Sequence, residues 1–241
     1  MNRIGLTLLM AALVAAPAAA QTPTIDELLA KNVESRGGLE KLRAINTRTV
    51  TGTVSAQGME MSMKVYSKRP NLMLQEMQMG DRRMVTAFDG QQAWGINPMM
   101  GGDSPQPLTG LQADLLRDQA AFDGPLALAR QRGDTMEVAG KETVDGTSAW
   151  KLVITHEGRQ TSVYLDEKTG LERKVSSTIT DNGTQMLIES VISDYQVTDG
   201  IQVPRQVRTL VGGQAQATVT IQSVEFNTPI DDAKFKIPAK Q

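Results

Sequence analysis

The 241-residue chain contains no cysteine. That excludes disulfides, thiolate metal sites, cysteine nucleophiles and lipidation of an N-terminal cysteine, so an adequate core must hold the fold alone. There is a single histidine, His156, and a histidine-based triad could use only that residue. It falls at the end of a strand pattern beside the Glu157-Gly158 turn, where a solvated side chain is expected. Aromatic residues make up only 4% of the chain, which leaves aliphatic side chains and 13 methionines to build the interior. No Gly-x-Ser-x-Gly elbow, phosphate-binding loop or Gly-x-Gly-x-x-Gly fingerprint occurs. Neighbouring carboxylates stand at Asp166-Glu167 and Asp231-Asp232, but adjacent residues of a strand point to opposite faces, so these mark turns rather than an acid–base pair. The reading is of a protein that is not an enzyme and uses no cofactor.

Long apolar runs are also missing, with one exception at the N-terminus. Arg3, the apolar stretch Ile4 to Ala16 and Ala18-Ala19-Ala20 have the three parts of a cleaved secretory signal, which places the mature chain in the periplasm. The stretch is short for a membrane span, and no second one follows, so the mature chain has no transmembrane segment. Residues 1–20 are thus read as signal and 21–241 as a single domain. The chain has 25 basic and 27 acidic residues, a balance without the basic excess that nucleic acid would require.

What is present is turn chemistry. Thr24-Ile25-Asp26-Glu27 reads as a capping box that starts a helix, which Gly37-Gly38 stops. From Thr47 the apolar period changes from 3.6 to two, and strand patterns recur to Phe226. Asp89-Gly90, Asp145-Gly146, Asn182-Gly183 and Asp199-Gly200 are among the tight-turn signals between them. Gly101 to Leu108 reads as a loop. Thr109-Gly110-Leu111-Gln112 reads as a second capping box, opening a helix to Ala121 whose apolar side carries Leu111, Leu115, Leu116 and Ala120. Pro204 belongs at a sheet edge or bulge, because it cannot donate to a ladder. The expectation is an up-and-down antiparallel meander of about eleven strands, mainly β with helices (α+β). So long a sheet must curl, and the helix from Thr109 is the natural cover for its concave face.

Met59, Met61 and Met63 share one face of a strand pattern, and Met73, Met77, Met79 and Met84 follow closely. Three readings stand for them: ordinary core, a wall for flexible apolar ligands, or a soft-metal thioether site. Adjacent methionines of one face lie about 6.5–7 Å apart along a strand, too far to share a metal without a cross-strand partner, and no metal site is assigned.

Lys68-Arg69-Pro70-Asn71-Leu72, Phe88-Asp89-Gly90, Trp94, Asn97-Pro98 and the tail Asp232-Ala233-Lys234-Phe235 keep their order and rough spacing. In these residues the chain resembles the periplasmic lipoprotein carrier of the Lol sorting pathway and the outer-membrane lipoprotein-sorting proteins of the same superfamily. The resemblance implies a curved half-barrel with a helical lid over a hydrophobic cavity. It matches Arg69 to an arginine that latches the lid, against the plainer reading of a solvated charge, and it sets Trp94 either on the cavity or in the core. The candidate ligand-binding residues are Met61, Met63, Met73, Met77, Trp94, Leu111 and Leu115, with Arg69 as latch. The implied role is a carrier or sensor of the acyl chains of lipoproteins or lipids, working with donor and acceptor proteins of the envelope. Where that carrier has aromatics, this chain has Met73 and Gln75, which leaves the cargo open. The rival reading is a non-catalytic interaction or structural domain with no lipid ligand.

Overall fold

The computed structural model describes residues 22–181 and 183–238; the signal read at 1–20 and the last three residues lie outside the described residues. Two helices come first, α1 (Ile25–Ser35) and α2 (Leu39–Ala44). The capping box at Thr24 is formed: its hydroxyl accepts from the Glu27 amide, and Glu27 accepts in return from the Thr24 amide at 2.7 Å. Strands β1 (Thr47–Ala56), β2 (Met59–Lys68), β3 (Leu72–Met79), β4 (Arg82–Phe88), β5 (Ala93–Asn97) and β6 (Gly102–Pro107) follow. Helices α3 (Gly110–Gln119) and α4 (Pro125–Arg132) interrupt the strands. The chain then continues as β7 (Thr135–Val144), β8 (Thr147–His156), β9 (Arg159–Asp166), β10 (Glu172–Asp181), β11 (Thr184–Thr198), β12 (Ile201–Val211) and β13 (Gln214–Phe226). A short 3-10 turn, Asp232–Phe235, ends the described chain's regular structure.

All thirteen strands lie in one curved, unclosed antiparallel sheet. The hairpins form where the turn chemistry demands them. Asp145-Gly146 and Asp199-Gly200 have positive φ at both positions (44° and 78°, 50° and 77°), the conformation of a type I′ turn. Two expectations change. Gly101 to Leu108 is not a loop, because Gly102–Pro107 pairs with β5 as an edge strand. Nor does one meander run from end to end. The order is β6-β5-β4-β3-β2-β1-β13-β12-β11-β10-β9-β8-β7, two meanders joined where β1 pairs with β13. The two edges, β6 and β7, are therefore consecutive in the chain, and the segment linking them carries α3 and α4. A connection from one edge of a curled sheet to the other has to cross its open side.

Both faces are covered. On the concave face Ala113, Leu116 and Ala120 of the α3 segment pack with Met73, Phe88 and Ala93. Beside them Leu126 and Ala129 of α4, with Leu28 of α1, pack on Leu152, Ile154, Val163 and Leu165. On the convex face the C-terminal segment brings Phe235, fully buried, against Leu74, Val85, Ala87 and Trp94. Pro204 lies in the part of β12 that pairs with β11 but not with β13, so its missing N–H costs no ladder bond on that side.

Candidate functional site

Between the concave face and the loop after α3 lies a cavity of about 390 Å³. Its wall is mostly apolar: Val50 from β1, Met63 and Val65 from β2, Ile192 from β11, Val207 from β12, Ile221 and Val224 from β13. These residues meet because alternate side chains of each strand share a face and the antiparallel register aligns them, Val50 facing both Val65 and Val224. Phe122, two residues past the C-cap of α3, lines the cavity from the lid side. A second cavity of about 370 Å³ lies under α3 and α4, against β8 to β11; Leu115, Leu128, Val175 and Ile188 line it. Gln119 borders both cavities, and positions 188, 190 and 192 carry one face of β11 past both.

The residues expected to bind ligand separate accordingly. Met63 lines the first cavity. Met73 is buried under α3. Met61 and Met77 are half-buried on the same face but form no part of that wall, Met77 lying directly between Met63 and Met84 across β2, β3 and β4. Leu115 lines the second cavity rather than the first. Leu111 is half-buried and belongs to neither wall. Trp94 is a correction: its neighbour Ala93 faces α3, so the indole points to the convex face, where its Nε1–H donates to the Phe235 carbonyl at 2.7 Å. The second capping box is also not formed. Thr109 makes no side-chain cap, since Gly110 adopts a φ of 58° where the first helical turn would need a negative one.

Arg69 bonds to the loop after α3, but not through free carbonyls at the end of that helix. Instead the guanidinium grips the Asp123 carboxylate with both terminal nitrogens, Nη2 at 2.7 Å, and lies 4.5 Å from the centroid of the Phe122 ring. The carbonyls it satisfies are those of α2 and its cap: Nη2 donates to Leu42 at 2.9 Å and Nε to Ile45 at 2.6 Å. The Phe122 amide meanwhile donates to the Pro70 carbonyl at 3.3 Å. One side chain thus joins β2, α2 and the lid loop, which suits a planar donor fork.

His156 is not a free surface group. Its Nδ1 lies 2.6 Å from a carboxylate oxygen of the half-buried Asp134, just beyond α4, and the ring borders the second cavity. The adjacent carboxylates do mark turns. Asp166 accepts from the amides of Lys168 and Thr169, and these bonds hold its carboxyl below the usual range although burial pulls it up. Asp231 caps the C-terminal 3-10 turn, and Asp232 pairs with Lys68 at 2.6 Å. Among the described residues no cluster of three His, Asp or Glu could hold a metal, and no helix is long and apolar enough to cross a membrane.

Sequence reasoning missed the polar side of the first cavity. Arg48 enters it from β1, Arg36 from the end of α1, Glu172 from β10 and Tyr195 from β11. Arg48 is half-buried with its Nε out of reach of solvent, and desolvation, then repulsion from Arg36, lowers its guanidinium to about 10, still charged at neutral pH. Burial also raises the Glu172 carboxyl, with Arg36 acting in the opposite sense. Tyr195 donates to the Glu172 carbonyl at 2.8 Å, and its burial pushes the phenol well up. A signal was there in Arg48, a charge on the apolar side of the first strand's alternation.

No known family model matches the sequence, and no curated protein matches it. Solved structures do. A LolA superfamily protein from Nitrosomonas europaea is 14% identical with a TM-score of 0.59, the match covering 89% of this chain and 98% of that one. A DUF1329 family protein from Desulfovibrio piger gives 14%, 0.60 and the same coverage. A domain described as an outer membrane lipoprotein-sorting protein, from Vibrio parahaemolyticus, is 11% identical with a TM-score of 0.57, covering 85% of this chain and 96% of that one. The thirteen-stranded open sheet, with helices on its concave side and a cavity between them, is the LolA-like fold.

Proposed function

We propose that this protein binds acyl chains of lipoproteins or lipids in the periplasm, as a carrier or as a sensor of them. The observation that carries the reading is the apolar cavity between sheet and lid, with the tie from Arg69 to Asp123 beside it. The secretory pattern at 1–20 supports export, and the likeness to a lipoprotein-sorting domain supports the cargo class. Binding needs no catalytic group: apolar chain leaves water for an apolar wall, and release follows when the lid opens near a better acceptor. That acceptor, and a donor, would be envelope proteins or membranes.

Native mass spectrometry of the protein purified from its own envelope tests this. A co-purifying lipid or lipidated peptide, displaced by added fatty acid, is the expected result. Protein that emerges empty and takes up no acyl probe would leave the interaction-domain reading in its place.

A further inference from the structure

The charges around the cavity do not balance. Arg36, Arg48 and Arg69 bring three guanidiniums to this corner. Of the carboxylates, Asp123 is engaged on both oxygens by Arg69, and Glu172 is half-buried where desolvation disfavours its ionisation. Among the described residues Arg48 has no carboxylate partner, and its buried Nε has no hydrogen-bond acceptor. Its guanidinium carbon lies 5.2 Å from the Phe122 centroid, so the group is steered by the lid's own aromatic ring. A buried cation without an anion is costly, and natural folds keep one where something else completes it.

We infer that this corner is a headgroup subsite: Arg48, with Arg36, receives the carboxylate or phosphate of a single-chain anionic amphiphile whose tail lies along Met63, Val65, Ile192 and Ile221. This rests on the acyl-chain reading above and narrows it. A cavity of 390 Å³, at about 30 Å³ for a water-sized volume, holds roughly a dozen groups of that size. That fits one medium chain, not three. The guanidinium fork matches a carboxylate or phosphate bidentately, and the closed lid would strengthen the pairing by excluding water. The same corner disfavours a neutral head, which would leave Arg48 unpaired.

The test compares dodecanoic acid, whose chain matches the cavity, with its methyl ester on the mature chain by isothermal titration calorimetry. The acid should bind at least about tenfold more tightly than the ester, the scale of one charge-assisted hydrogen bond. Arg48→Met should bring the two together by weakening the acid and leaving the ester, whose retained binding also shows that the variant is folded. Arg48→Lys should keep part of the preference. Equal binding of acid and ester by the parent chain, or a preference that survives Arg48→Met, overturns the subsite while the apolar cavity stands. Failure of both probes to bind the parent chain overturns the acyl-chain reading itself. Displacement of bound dodecanoate by a lysophosphatidylglycerol of the same chain length and by dodecanol distinguishes the source of the anion. The better of the two anions names the carboxylate or the phosphate head, and dodecanol as good as either counts against the subsite.

Discussion

At the scale of single residues, Arg69 and Asp123 separate two effects that are usually measured together. Arg69 has only 24% of its side chain exposed and holds α2 as well as the lid, so Arg69→Leu removes bonds on both sides. Asp123→Asn touches the lid alone. With Asp123 about half exposed, the pair's worth is discounted toward about 1 kcal/mol by solvent screening, roughly a fivefold shift between closed and open states. Stopped-flow release of a fluorescent fatty acid should therefore quicken several-fold in Asp123→Asn with little change in melting temperature. Arg69→Leu should quicken release and also lower the melt. Release at the parent rate in both variants would reduce this pair to a surface ornament. Glu172 carries a second test. A carboxyl whose folded pKa is raised keeps its proton more tightly in the folded state, so stability is intact at acid pH and is lost as pH rises from the ordinary range through the raised one. Glu172→Gln has no such proton to lose. Thermal melts from about pH 4 to about pH 9 should show the variant gaining on the parent as pH rises, and converging with it at the acid end. A gap independent of pH would show that folding leaves the Glu172 carboxyl unperturbed.

At the scale of elements, the β1–β13 seam does what no hairpin does, because it joins two meanders that share no turn. Thr51 and Ser223, 172 positions apart, meet there with their hydroxyls 2.6 Å from one another. The register shifts beside Gly52, and a Cβ at Gly52 would stand 2.2 Å from the Thr220 carbonyl oxygen. Backbone cannot yield as a flexible side chain can. Gly52→Ala should cost about 1–3 kcal/mol, seen as a fall of about 2–4 °C in melting temperature per kcal/mol; an unchanged melt would mean the seam has slack. The lid helix teaches a related lesson. Its apolar residues were legible, yet Leu116, not Leu111 or Leu115, is the one buried against the sheet with Ala113 and Ala120. Periodicity identifies a stripe on a helix, and the partner surface selects the part of it that is covered.

For the whole molecule, the topology sets an order of opening. The seam strands β1 and β13 have a partner on each side, whereas β6 and the α3 segment lie at an edge and over a cavity. Amide hydrogen exchange should be slowest in β1 and β13 and fastest in Gly102–Gln119, with protection of the latter rising when a fatty acid saturates the protein. Equal protection of β6 and β1, or a lid indifferent to ligand, would contradict a cavity that opens at this side. The hairpins, the first helix and its capping box, and the recurrence of strands were determined by the sequence alone. Asp-Gly turns, two-residue alternation and a Thr–Glu cap are local, acting within a few residues whatever the rest of the chain does. Local pattern also placed Met59, Met61 and Met63 on one face, and the β2–β3 register added Met73 and Met77 to it. What only the tertiary structure decided are the pairings across long separations: β1 with β13, Trp94 turned to the C-terminal segment, and Arg69 on Asp123 and α2. So it is with the meeting of Arg48, Arg36 and Glu172 in one apolar cavity. Each depends on which way the sheet curls and on which of its two faces a strand presents there, and no window of a few residues contains that information.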